Sequence, residues 1–253
     1  MKYNFAGKRC IMIFLCLLLP VLFFRMFTLG SASSNAEKWL YSYMDDLSRS
    51  EDDPPYMSLH YRLRTLYFSL APRPAKAIVF VGDSMTDEGD WSRLFPQVNT
   101  ANRGIGGDTT LGLLNRLDTI VDLNPDKIFL MIGTNDLCFN RSIEETIEAY
   151  NQILKVVHEK LPHSAIYIES VLPFNDEIFP SVYLRTNANI LQLNEELRKL
   201  TKKYGDTYID LVPDFQDEAG RLPRELTSDG LHLNEQGYEL WRQQLEPFVV
   251  GKP

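Results

Sequence analysis

An apolar run at residues 77–81, mainly apolar stretches at 127–132, 165–171 and 207–211, and a more mixed one near 98–102 are separated by longer stretches whose apolar residues recur every three or four positions. Runs that are apolar throughout read as strands buried on both faces, as in a parallel sheet. Strands alternating with helices at this spacing predict an α/β fold, a doubly wound parallel sheet with helices on both faces. The helices carry their own punctuation. A short one is expected around 91–94. Asp108 is placed to cap a helix whose inner face is Leu111, Leu114 and Leu117. Ser142-Ile143-Glu144-Glu145 reads as a capping box opening a helix with Ile143, Ile147, Tyr150, Leu154, Val157 and Leu161 in step. Near 188–204, Ile190, Leu193, Leu197, Leu200 and Tyr204 share a face, and Gly205 suits the C-terminal stop. Asn234 can cap a last helix through Tyr238, Trp241 and Leu245.

The N-terminus is organised differently. A basic lead precedes fifteen consecutive apolar residues, 10–24, and small residues follow at Gly30 to Ser33. This is the layout of a secretory signal peptide with cleavage after Ala32. An uncleaved anchor over 10–29 is the competing reading, although a span needs about 20 apolar residues and Arg25 interrupts this one. Both readings place the body outside the cytoplasm and confine membrane contact to this segment. The expected organisation is therefore 1–32 as signal peptide or anchor, 33–75 as a helical extension and 76–250 as the α/β domain. The extension contains helices at 34–50 and 56–70, the second with Leu59, Leu63 and Leu66 at helical spacing. It packs on the domain or offers a surface to a partner.

Charge and cysteine usage exclude several function classes. The net charge is −8 although residues 1–30 carry four bases and no acid, so the body is more acidic still and unsuited to nucleic acid. Cys10 and Cys16 lie in the apolar run, which leaves Cys138 alone in the body. That excludes a disulfide framework within the body and a multi-cysteine metal site.

In a doubly wound sheet the residues just after each strand converge on one edge, where such folds bind ligands. After the first strand come Gly82, Asp83 and Ser84; after the second, residues 102–108 with Gly104, Gly106 and Gly107; after the third, Gly133, Asn135 and Asp136; after the fifth, Asp229 and His232. Each has a plain explanation taken singly: Ser84 as a helix cap, the glycines as turns, Asp229 as a turn residue. Together they fit acyl transfer. A serine hydroxyl is a poor nucleophile until a base takes its proton. His232 can do so, with Asp229 holding its tautomer. The backbone N–H groups of Ser84 and Gly104 and the side-chain amide of Asn135 can stabilise an oxyanion. The glycines are no dinucleotide fingerprint, since Thr109 stands where its third glycine would be. His60, His158 and His163 have no acid at a supporting spacing on this edge.

Gly82-Asp83-Ser84, Gly104, Gly133-x-Asn135-Asp136 and Asp229-x-x-His232 resemble the four signature blocks of the SGNH (GDSL) hydrolases. The surrounding text is most similar to the sialate O-acetylesterase-like and platelet-activating-factor-acetylhydrolase-like members. The resemblance runs from residue 77 to the C-terminus. It implies a three-layer α/β/α flavodoxin-like fold with a five-stranded parallel sheet, and Ser–His–Asp esterase chemistry with no metal or cofactor. Ser84 would be the nucleophile, His232 the base and Asp229 its partner, with Ser84, Gly104 and Asn135 as the oxyanion hole. The expected activity is that of an exported carboxylic ester hydrolase removing small acyl groups, acetyl above all, from a carbohydrate. Asp108, Phe174 and Asn175 are the expected substrate contacts, by position alone. The alternatives are a lysophospholipase or thioesterase, for which residues 171–183 are apolar enough, and a binding module that has lost the chemistry.

Overall fold

The strands are β1 (Ile78–Gly82), β2 (Thr100–Gly104), β3 (Lys127–Met131), β4 (Ala165–Glu169) and β5 (Thr207–Ile209). All neighbours are parallel and lie in the order β2-β1-β3-β4-β5. This is the doubly wound sheet expected from the alternation, in the flavodoxin-like order that the family resemblance implies. The computed structural model describes residues 44–46, 48–74 and 76–251. The apolar run at 10–24 and most of the helix expected at 34–50 lie outside the described residues. Among those described, no helix is long and apolar enough to cross a membrane. The chain divides into two units, Met1–Leu47 and Ser48–Pro253, and everything below concerns the second.

Helix α1 (Leu59–Leu70) precedes β1. Then α2 (Ser84–Asp87) and α3 (Trp91–Leu94) follow β1, and α4 (Thr110–Asn115) and α5 (Asp118–Val121) follow β2. After β3 come α6 (Thr134–Cys138) and α7 (Ile143–Lys160); α8 (Asn187–Tyr204) lies between β4 and β5, and α9 (Glu235–Val250) closes the unit. Side chains alternate across each strand, so each strand feeds two cores. Val79, Val81, Ile128, Leu130, Ile166 and Ile168 face one side, with Leu154 of α7 and Leu193 and Leu197 of α8. Ile78, Phe80, Phe129, Met131 and Tyr167 face the other, with Trp91 and Trp241. Phe80 stacks on Trp91 at 3.9 Å, and Trp241 meets Trp91 edge-on at 5.0 Å. Such ring pairs add about 0.5–1.5 kcal/mol each beyond the area they bury.

The capping box is formed: the Ser142 hydroxyl accepts the Glu145 N–H while the Glu145 carboxylate accepts the Ser142 N–H. Helix α8 ends at Gly205 with φ +77°, as expected. Two helix faces differ from expectation. Thr109, not Asp108, caps α4, and Leu111 points to solvent while Leu113 and Leu117 are buried. The cause is Arg116, which takes the Asp108 carboxylate inward. In α1 the buried residues are Tyr61 and Phe68, and Leu66 is 52% exposed. The guanidinium groups of Arg64, Arg103 and Arg116 lie 4.8, 4.6 and 5.7 Å from the Phe68 ring. A ring face attracts cations as a leucine cannot, which accounts for the rotation of the helix. It also makes α1 integral to this unit.

Candidate active site

Sheet register brings three of the predicted loops together. Gly82 at the end of β1 pairs with Gly104 of β2 on one side and Met131 of β3 on the other. The segments holding Ser84, residues 105–108 and Asn135 therefore leave the sheet side by side. Asp83 caps α2 by accepting the Met85 N–H at 3.1 Å. That makes Ser84 the first helical residue rather than the cap and leaves its hydroxyl to other partners. Burial pushes the Asp83 carboxyl up to about 7, although the Met85 N–H and His232 oppose it.

The fourth loop arrives from the far side of the sheet. Thr227 pins it, its hydroxyl donating to the His232 carbonyl at 2.7 Å and accepting the Gly230 N–H at 2.8 Å. One carboxylate oxygen of Asp229 accepts the N–H groups of Leu231 and His232 at 2.9 and 2.7 Å, an aspartate turn that needs no distant partner. The other oxygen lies 2.7 Å from His232 Nδ1, and His232 Nε2 lies 3.0 Å from Ser84 Oγ. An ionised carboxylate only accepts, so Nδ1 carries the proton and Nε2 is left to accept from the serine. Partial burial raises the Asp229 pKa, but the bonds from His232 and Leu231 outweigh it and hold the group below its ordinary value.

The oxyanion donors are arranged differently from expectation. The Gly104 N–H is donated to Asn102 Oδ1 at 2.8 Å, so it faces the protein interior. Its glycine serves a close approach instead: a Cβ there would lie 2.1 Å from the backbone nitrogen of Asp87. Three residues on, Gly107 has φ +77°, open space beside its Cα, and an N–H with no acceptor among the described residues. The Ser84 N–H is likewise without an acceptor among them. Asn135 gives one amide hydrogen to the Asp108 carbonyl at 3.0 Å, which fixes its side chain against the same turn and leaves the second hydrogen. Gly107 is thus the glycine that sequence reasoning missed. The available signal was a glycine directly before a helix-capping run, Asp108-Thr109-Thr110.

The three expected substrate contacts are interior groups. Asp108 is fully buried on Arg116, with Nε–Oδ2 at 2.8 Å, and burial pushes its carboxyl up to about 6 against the pull of that guanidinium. Phe174 is fully buried. Asn175 is buried with its amide on the Leu222 carbonyl, while its backbone N–H donates to the Gly230 carbonyl at 2.7 Å and so braces the histidine loop. Each satisfies internal partners, which is why none reaches the solvent edge. Asp136 joins the second and third loops: its carboxylate accepts the N–H and hydroxyl of Thr110 at 2.9 and 2.6 Å and meets Arg141 at 3.1 Å.

Two further groups escaped the sequence reading. Asn102 Nδ2 lies 2.9–3.1 Å from the carbonyls of Thr86, Asp87 and Gly89, which clamps the turn after Ser84. His60, set aside for lack of a supporting acid, has Nε2 2.6 Å from Asp87 Oδ2. That acid is 27 residues away in sequence and ends α2, the helix that Ser84 begins.

The sequence model of the GDSL-like Lipase/Acylhydrolase family matches residues 80–240, which include every block of this site. The chain belongs to that family. It is therefore an acylhydrolase, an enzyme of the ester-hydrolase class. Among curated relatives, the rat (Rattus norvegicus) platelet-activating factor acetylhydrolase IB subunit alpha1 is 27% identical over 195 residues, covering 74% of this chain and 79% of that protein. The alpha2 subunit from the same species is 29% identical over 179 residues, covering 68% of this chain and 76% of that one. A solved structure from Streptococcus pneumonia, described provisionally as a platelet activating factor, superposes with a TM-score of 0.69 at 26% identity, over 86% of this chain and all of that one. An acetyl xylan esterase, AlAXEase, shares the fold with a TM-score of 0.59 at 20% identity, over 68% of this chain and 99% of that one.

Proposed function

We propose that this GDSL-family enzyme is an exported serine esterase that removes short acyl groups, acetyl above all, through Ser84, His232 and Asp229. The observation that carries the reading is the unbroken relay from Ser84 Oγ through the two imidazole nitrogens to the Asp229 carboxylate, at 3.0 and 2.7 Å. In the first step Ser84 Oγ attacks the ester carbonyl carbon and its proton passes to His232 Nε2. The oxyanion is met by the N–H groups of Ser84 and Gly107 and the amide of Asn135. Collapse expels the alcohol, protonated by the imidazolium. Water, deprotonated by the same imidazole, then cleaves the acyl-serine. The preference for acetyl is supported by the names of the curated relatives, which are acetylhydrolases. The carbohydrate part of the expectation keeps the family resemblance but loses Asp108, Phe174 and Asn175 as its contacts.

Rates on p-nitrophenyl esters of increasing chain length test the acyl preference, and faster turnover of chains of about eight carbons or more would refute it in favour of the lysophospholipase or thioesterase reading, since a pocket rewards each added methylene it can bury. Acetate release from acetylated sugars and from a 2-acetyl glycerophospholipid identifies the alcohol. A fluorophosphonate probe should label the wild type and not Ser84→Ala; no labelling of the wild type would restore the binding-module alternative. Export is tested by the intact mass of the protein recovered from its native host, where loss of residues 1–32 is expected and full retention would favour the anchor.

A further inference from the structure

The family match begins at residue 80, yet a helix upstream of it reaches the catalytic loops. Asp87, at the end of the nucleophile helix, has a side chain only 14% exposed with three partners. Its Oδ2 accepts the Gly106 N–H at 3.0 Å and lies 2.6 Å from His60 Nε2; its Oδ1 lies 2.7 Å from Arg64 Nη2. The same Arg64 nitrogen donates to the Gly104 carbonyl at 3.1 Å. His60 and Arg64 are one turn apart on α1, so one helix face delivers both. Beyond them, Tyr61 donates its hydroxyl to the Gly112 carbonyl, and Tyr61 and Phe68 pack on buried Ile105. The turn at 105–108, closed by the Asp108 N–H on the Ile105 carbonyl, is thus held on both flanks by α1. Burial raises the Asp87 pKa, but His60, Arg64 and the Gly106 N–H together hold it below its ordinary value, so the carboxylate that ties the loop is charged.

We propose that His60 and Arg64 are positioning residues of this esterase: through Asp87 they fix the 104–107 loop, and hence the direction of the Gly107 N–H, relative to Ser84. This rests on the reading of Gly107 as an oxyanion donor. Neither residue touches the reacting atoms. Their loss misdirects a donor that matters only once negative charge has developed, so turnover falls while ground-state binding is kept. The acylhydrolase unit accordingly begins at α1 and not at β1.

The test is steady-state kinetics on p-nitrophenyl acetate with the chain carrying residues 48–253 and its upstream segment intact. His60→Ala and Arg64→Met should each lower kcat about 10- to 100-fold with KM within about twofold, the scale of a misplaced catalytic group. His60→Gln, whose amide can still donate to Asp87, should recover most of the loss. Leu66→Ala, on the exposed face of the same helix, should match the wild type. Combined with Asn135→Ala, the loss from His60→Ala should be smaller than in the otherwise wild-type protein, because both act on one oxyanion site. Unchanged kcat in His60→Ala, failure of His60→Gln to recover, a loss that appears in KM, or full additivity with Asn135→Ala would each overturn the proposal. If His60→Ala does not fold, Arg64→Met and its cycle with Asn135→Ala decide the matter; if Arg64→Met does not fold, His60→Ala and its cycle do. Activity surviving in Ser84→Ala would instead refute the underlying serine mechanism.

Discussion

Replacing Asp229 by Asn separates its electrostatic role from its structural one. The backbone half of the site survives: the amide oxygen can still accept the N–H groups of Leu231 and His232, now 2.9 and 2.7 Å from Oδ1. The other half inverts. The atom facing His232 Nδ1 becomes a donor, which favours the tautomer with its proton on Nε2, the nitrogen 3.0 Å from Ser84 Oγ. That imidazole can no longer accept the serine proton, and no carboxylate stabilises the imidazolium. Where such an aspartate is buried, the change costs about 10⁴ in kcat. Here the Asp229 side chain is 46% exposed, so water reaches the pair and weakens both effects. The expected loss is about 10²–10³ in kcat, or about 3–4 kcal/mol in activation free energy, with KM and the melting temperature near wild type. The measurement is p-nitrophenyl acetate turnover from pH 6 to 9 alongside thermal denaturation. A kcat within about fivefold of wild type would mean that Asp229 only shapes the loop. A loss that follows unfolding would mean the same.

Other perturbations have equally definite outcomes. Ser84→Ala and His232→Ala should each lower kcat by on the order of 10⁶, and a much smaller loss in one of them, in an active-site titration, would break up the pair. Gly104→Ala places a Cβ 2.1 Å from the Asp87 nitrogen and should destabilise by about 3 kcal/mol or more in urea titration, whereas Gly107→Ala, at φ +77° with open space, should cost only about 1–2 kcal/mol. Glu169 is buried, its carboxyl pushed up to about 8 by burial against the opposing Trp241 N–H. Its folded pKa exceeds the unfolded one, so it favours the fold below the unfolded value and costs stability as pH rises from there towards 8. Glu169→Gln keeps an acceptor for Trp241 and should flatten the fall in stability between pH 5 and 8, with a gain on the order of 2 kcal/mol at pH 8; an unchanged slope in denaturant titrations would assign the fall to Asp83 and Asp108. Ser142→Ala removes one arm of the capping box and should cost about 1 kcal/mol with no change in kcat.

What the sequence could decide is what short stretches of chain decide for themselves. The β1 run is apolar throughout, and β3 is apolar after Lys127, because both faces of a parallel sheet are covered, and that pattern needs no partner to be read. The capping box at Ser142 and the stop at Gly205 depend on neighbours within four residues. The same holds for Asp229 and His232, whose turn closes on itself, and it puts the imidazole at the end of a locally specified arm. The loops converge because sheet order converts chain order into position, so Ser84, Asn135 and His232 were legible together. The rest depended on partners far away in sequence. Asn102 takes the N–H of Gly104, while Gly107, in its left-handed backbone, keeps an N–H without an acceptor among the described residues. Asp108 was drawn from the edge by Arg116, Asn175 by the Leu222 carbonyl and Phe174 into the core, because a buried polar group needs an internal partner and a large ring needs cover. The face of α1 was chosen by three arginines, two of them from other elements, surrounding Phe68, and His60 found its acid 27 residues away. Periodicity and turn chemistry are local and survive in the sequence; the direction of a single N–H or carboxylate is set by packing across the fold, and only the tertiary structure holds it.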